Sequence, residues 1–393
     1  MFGASIMPIS SSADVAKATN VRSAMPLEFR IAEPLPSPAS QGTVGMIRIQ
    51  ASPITDLVSL RAALQQAIQL EHSTIPPYLC AWLTLSGNSA SVRYARGLIR
   101  DIVLEEMLHM SLACNILNAI GGTPEINRPD LQPIYPGPLP MGIAGGVEVH
   151  LKRYSHALVR DVFMQIEEPE LPLDIPVLRA LPPDAASGPR TIGEFYAAIR
   201  QEIVRQTDAI FTGDPARQVN TGQFDASEEF VVSNVETALR AIETIVEQGE
   251  GTPQSPFDLQ QDFAHYYRFQ ELEKGMKLVD NPGSPLKVGF DPAQPLVIDD
   301  DADVIKMVDN PQLVAIDISD AQAAQLSDEC DRLYSRMLDE LQMGFSGEPD
   351  KVDIAVGTMQ EFAGVARNLL RQRLTAGPQS GFFAGPRFRY SAA

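Results

Sequence analysis

A carboxylate and an imidazole stand in the middle of an otherwise apolar helical face, and this limits what the chain can become. Over residues 95–120, Ala95, Leu98, Ile102, Glu106, His109, Ala113, Ile116 and Ile120 recur at helical period and share one side. Glu106 and His109 lie one turn apart and point the same way. A buried carboxylate without a partner costs several kcal/mol, so the fold must bring something to it. Helix bundles with di-metal sites use this Glu-x-x-His spacing. A Glu–His hydrogen bond inside an ordinary core is the alternative.

The preceding helix repeats the anomaly. It opens after Pro53 with Thr55 or Asp56 as N-cap. Leu57, Leu60, Leu64, Ile68, Glu71, Ile75, Leu79 and Trp82 share its inner face, so Glu71 is a second acid in an apolar stripe. Pro76 and Pro77 deprive the carbonyls of His72 and Ser73 of helical donors, which predicts a kink beside the acid. The apolar run Tyr78–Leu85 argues that the helix continues past them. The link Ser86-Gly-Asn-Ser-Ala90 is short enough for an antiparallel hairpin. Glu71 and Glu106 are almost equally far from its middle, so they should face each other. Gly121-Gly-Thr-Pro124 stops the hairpin.

The remaining chain fills out a helical protein. Residues 1–50 are Ser-, Ala- and Pro-rich and read as a partly ordered arm with a short strand at Val44–Ile49. Residues 124–149 form a Pro/Gly-rich loop. Helical character returns at Ser155–Ile166 and breaks from Pro169 to Pro183. Thr191-Ile-Gly-Glu194 has capping-box spacing and opens another helix, with Ile192, Phe195, Ile199, Ile203 and Ile210 inward and Glu202 solvated at the edge. A fourth helix is expected over about Ser227–Glu247, with Glu243 flanking its apolar stripe and Glu247 further round. A fifth is expected over about Phe257–Met276, where Asp262-x-x-His265 repeats the spacing of Glu106-x-x-His109 with a shorter acid. Two such pairs, each on the later helix of a hairpin, are what a di-metal bundle requires. Residues 281–318 read as loops or small strands whose Asp299–Asp303 run is a solvated face without the Gly and Glu of an EF-hand. Amphipathic helices follow over about Asp320–Met343 and Val352–Leu374, then a surface tail.

Composition narrows the function classes. A net charge of −19 over 393 residues argues against nucleic acid or an anionic membrane surface as partner. No apolar run approaches bilayer length, and the N-terminal residues lack a signal-peptide pattern. Cys80, Cys114 and Cys330 have no close spacing and read as reduced packing residues of a cytoplasmic protein, which removes thiolate metal sites.

Four segments carry a family resemblance: Glu71-His-Ser-Thr-Ile-Pro-Pro-Tyr-Leu79, Leu104-Glu-Glu-Met-Leu-His109, Ile245-Val-Glu-Gln-Gly-Glu-Gly251 and His265-Tyr-Tyr-Arg-Phe269. The chain resembles the ferritin-like family of the violacein and rebeccamycin pathways, whose named activity is iminophenyl-pyruvate dimer synthase. The resemblance covers roughly residues 45–390, including Ala384-Gly-Pro-Arg-Phe-Arg-Tyr390. It implies Glu71, Glu106 and His109 as metal ligands from the first hairpin. From the second it implies Glu247 and His265, with Asp262 where a glutamate is usual. Helical periodicity alone slightly prefers Glu243 to Glu247.

The expected fold is all-α: a ferritin-like four-helix bundle of two antiparallel hairpins with a long crossover and flanking helices. Residues 51–280 form the bundle, and 281–393 dock on it. The expected function is a non-haem oxidoreductase acting on a small organic substrate, with iron, or manganese, held by acids and imidazoles. Oxidative coupling in secondary metabolism is the form the resemblance implies. A dry substrate cavity is expected near Tyr78, Tyr266 and Phe269, and the chain is compatible with a homo-oligomer. Metal storage without catalysis, or a purely structural bundle, are the competing readings.

Overall fold

The computed structural model describes residues 53–169, 191–220, 222, 231–252, 255–281, 283–284 and 286–392. The expected arm and its strand at Val44–Ile49 lie outside these residues, as do most of the Pro169–Pro183 break and residues 227–230.

Two long helices form the first hairpin: α1 (Leu57–Thr84) and α2 (Ala90–Ala119). Asp56 caps α1, accepting from the Ser59 N–H at 2.8 Å, while the Ser59 hydroxyl accepts from the Asp56 N–H. Helix α1 runs on through Pro76 and Pro77, as the apolar run beyond them requires. Ser89 caps α2, and Gly121 at φ 72° ends the hairpin. Arg61, near the start of α1, donates to the Ile120 carbonyl at the end of α2, so the pair is antiparallel.

After α2 the chain makes 3₁₀ turns and a two-residue antiparallel ladder of β1 (Gly137–Pro138) and β2 (Glu148–Val149). One helical stretch follows in three parts: α3 (His156–Leu158), a π-helical turn (Val159–Phe163) and α4 (Met164–Ile166).

The second hairpin comprises α5 (Ile192–Gln206) and α6 (Val235–Glu250). Thr191 and Asn234 cap them. Glu250, at the end of α6, accepts from the Gly193 N–H at 2.6 Å, and Asp208, just past α5, accepts from Val235 N–H at 2.8 Å. These two contacts fix the pair as antiparallel. Helix α5 packs on α1 and α6 on α2, which completes a four-helix bundle around a continuous apolar core. Glu202 departs from expectation: it is buried, because Arg205 and Gln206 one turn on satisfy its carboxylate at 2.6–2.7 Å.

Helix α7 (His265–Lys274) is shorter than expected. Asp258 accepts from the Gln260 and Asp262 N–H groups, and Gln261 adopts φ 68°, so the chain before Ala264 turns instead of coiling. An antiparallel hairpin of β3 (Met276–Asp280) and β4 (Val288–Pro295) follows and straddles residue 280. The Asp299–Asp303 run folds on itself, Asp299 accepting from Asp301 and Ala302 N–H, while the Asp303 carbonyl accepts from Ser86 and Gly87. Helices α8 (Ala321–Phe345) and α9 (Lys351–Leu369) pack on each other and against the first hairpin. Ile354 on α9 is exposed. Among the described residues no helix is long and apolar enough to cross a membrane.

Candidate metal centre

Burial concentrates polar groups where the middles of α1 and α2 meet the end of α4 and the start of α7. Glu71, Glu106, His109, Glu167 and His265 are each no more than 2% exposed. Their donor atoms form two groups, Glu71/Glu106/His109 and Glu106/Glu167/His265, so Glu106 belongs to both. In the first group His109 Nδ1 lies 3.7 Å from Glu71 Oε2 and 4.0 Å from Glu106 Oε1. In the second, His265 Nδ1 lies 2.9 Å from Glu106 Oε1 and 3.5 Å from Glu167 Oε2. The two imidazoles stack with centroids 5.4 Å apart.

Each carboxylate is also held from outside. Tyr196 on α5 donates to Glu71 Oε1 at 2.6 Å, Thr74 donates to Glu106 Oε2 at 2.6 Å, and Tyr78 donates to Glu167. The imidazoles are fixed from behind. His109 Nε2 lies 2.9 Å from Gln248 Oε1, and His265 Nε2 lies 2.7 Å from Glu105 Oε2. Each Nε2–H donates outward, so in the neutral imidazole it is Nδ1 that turns a lone pair toward the carboxylates.

Among the described residues no lysine or arginine enters the cluster, so its carboxylates bear on the two imidazoles and on one another. Burial, then the neighbouring Glu167 carboxylate, pushes Glu106 up to about 7. Burial works against a charged His265, but the carboxylates of Glu105, Glu106 and Glu167 outweigh it and hold the imidazole well above its usual range. His109 is likewise raised, with Glu71 and Glu106 outweighing burial. The same Nδ1 positions attract protons and cations.

One atom tests the fit to a metal directly. His265 Nδ1 is buried and makes no well-formed hydrogen bond, although Glu106 Oε1 lies 2.9 Å and Glu167 Oε2 3.5 Å away. An orphaned buried nitrogen is rare in folded proteins. A ring nitrogen aimed between two carboxylates, with its other nitrogen pinned by an acceptor, is the arrangement of a metal ligand. The residues present fit a cation.

The structure thus brings together Glu71, Glu106, His109 and His265, and leaves Glu247 and Asp262 outside. Glu247 is half-buried with Glu243 and Asp258 as its charged neighbours, and Glu243 is exposed. Helix α6 stays regular to Glu250, which turns Gln248, and not either acid, toward His109. Asp262 is exposed on the turn before α7, so it does not share a helix face with His265. Glu167 is the carboxylate that periodicity missed. It follows Val159 and Phe163 at four-residue steps as an acid continuing an apolar stripe, the same anomaly that marks Glu71. Of the rings expected to line a cavity, Tyr78 and Phe269 pack on each other and on Phe163 with centroids 4.6–5.2 Å apart, and Tyr266 packs edge-on against Tyr267. An apolar cavity of about 50 Å³ lies against a neighbouring face of α1 and α2, lined by His72, Met107, Met110, Tyr334, Leu338 and Met359 among others.

Buried carboxylate–imidazole clusters inside a four-helix bundle define a ferritin-like protein. The family described as Ferritin-like matches residues 64–274, more than half of the chain, and the chain belongs to it. A crystal structure of a ferritin-like protein from Caulobacter vibrioides aligns with a TM-score of 0.60 at 23% identity. The alignment covers 86% of this chain and 100% of that one, and it shows a shared fold. No protein of curated description matches the chain.

Proposed function

We propose that this chain is a non-haem, two-metal oxidoreductase, with iron, or manganese in its place, acting on a small organic substrate. The observation that carries the reading is the sharing of buried Glu106 between two triads, each with an imidazole Nδ1 turned inward. Oxygen and imidazole donors without thiolate suit these metals. When bound, such ions supply one-electron and dioxygen chemistry. Glu71, Glu106 and His109 would hold one ion, and Glu106, Glu167 and His265 the other. Tyr196, Thr74 and Tyr78 hold the carboxylates in place, and the surrounding helices exclude water. Oxidative coupling of an imine of an aryl 2-oxo acid is the specific form proposed, on the strength of the resemblance to the iminophenyl-pyruvate dimer synthase family. A cytoplasmic location and self-association belong to the same proposal.

Metal analysis by plasma emission on protein produced with iron available should find up to two equivalents per chain. Uptake should weaken as pH falls, because protons occupy the same imidazoles. Iron-loaded protein should then consume dioxygen faster when the aryl imine is supplied. Well-folded protein that takes up no transition metal from an excess would sink the reading.

A further inference from the structure

The two triads differ most in what stands behind each imidazole. His109 leans on a neutral amide, Gln248 of α6. His265 leans on Glu105, whose carboxylate is gripped by Arg268: Nη1 donates to Oε1 at 3.1 Å, and Nη2 donates to Oε2. The Arg268 side chain is only 11% exposed and also donates to the Phe263 carbonyl, so the fork is fixed at both ends.

We infer that Glu105 is a positioning residue for one half of the centre: through His265 it sets metal affinity at the Glu106/Glu167/His265 half, while Gln248 sets the other. The inference rests on the two-metal reading above. A carboxylate behind a metal-bound histidine fixes its tautomer and raises its basicity, and a neutral amide does so less. Replacing Glu105 by Gln acts twice in the same direction. It weakens the acceptor behind His265, and it removes the carboxylate that Arg268 grips, leaving that buried charge to Asp258 and Asp262 and closer in effect to the cation. Both effects fall mainly on His265, because the His109 ring is held from a different helix by Gln248. Gln248→Glu does the converse, placing a carboxylate behind His109 and leaving His265 untouched.

Calorimetric titration of the metal-free full chain with Mn(II), followed by electron paramagnetic resonance, reads the two halves separately. Wild type should bind two equivalents and give the broadened signal of a coupled pair. Glu105→Gln should weaken one equivalent about 10- to 100-fold, leave the other near its wild-type affinity, and give the six-line signal of isolated Mn(II). Gln248→Glu should tighten the other equivalent alone, and this arm stands even if Glu105→Gln fails to fold. Equal weakening of both equivalents in Glu105→Gln, or no change in either, overturns the positioning role. So does a Gln248→Glu protein with wild-type affinities. Wild type that binds no metal overturns the two-metal reading itself, which is a different result.

Discussion

The hydroxyl of Tyr135 donates to the carbonyl oxygen of Ser73 at 2.7 Å, four residues before Pro77. Pro77 has no N–H to offer that carbonyl, and a tyrosine from the Pro-rich loop takes its place. The loop after α2 therefore repairs α1 within one turn of Glu71. Tyr135→Phe should cost about 1–3 kcal/mol by leaving a buried carbonyl without a donor. In a Pro77→Ala background an N–H returns, and the same substitution should cost clearly less. Denaturant unfolding of the four proteins closes the cycle. Equal costs in both backgrounds would show that the hydroxyl serves something other than the proline's missing bond.

Glu106 belongs to both triads and Glu71 to one. Glu106→Gln should therefore abolish or severely weaken uptake of both metal equivalents, and Glu71→Gln uptake of one. Equilibrium dialysis against Fe(II) without oxygen distinguishes them. Loss of one equivalent in each variant would separate the halves and remove the shared carboxylate from the account.

Much of this centre was legible because long, regular helices carry it. Glu71, Glu106 and His109 each interrupt an apolar stripe of α1 or α2, where a 3.6-residue period holds for many turns. Legibility failed where the period fails. Asp262 was placed with His265 on one helix, but the Asp258 turn and the left-handed Gln261 start that helix at His265 itself. Glu247 comes from the family resemblance and not from the helical period, and α6, helical to Glu250, turns Gln248 to the centre in its place. Glu167 sits just beyond a π-turn, where helical phase cannot be read from spacing alone. Glu105 lies off the apolar stripe of α2, so nothing in the period marks it, and the packing of α7 gives it His265 and Arg268 as partners.

Glu247 gives the chain a pH signature away from the centre. Burial, with Glu243 and then Asp258 nearby, lifts its carboxyl to about 7 from an ordinary 4.5. The folded chain then holds this proton more tightly than the unfolded chain. The contribution to stability falls as pH rises from about 4.5 to about 7 and stays low above that. Glu247→Gln should melt with wild type at pH 4 and above it at pH 8. A constant difference across that range would mean that the carboxyl is not strained by ionisation.

The docking of α8 and α9 on the first hairpin can be probed at the apolar cavity. Leu338 is 1% exposed and lines it. Leu338→Ala should cost about 2–5 kcal/mol. Metal stoichiometry should be unchanged, because the cavity borders a different face of α1 and α2 from the acids. A parallel loss of metal would mean that the docked helices hold the centre in register.

The π-turn at Val159–Phe163 makes the last carboxylate a matter of counting. An α-helix advances about 100° per residue, and a π-turn absorbs one residue more than a regular turn. Glu167 follows that extra residue, so its bearing depends on how many residues precede it as much as on its own identity. Deleting one residue from this turn would leave every side chain after it chemically intact and aim it elsewhere. Within α3, α4 and the turn between them, length is part of the ligand.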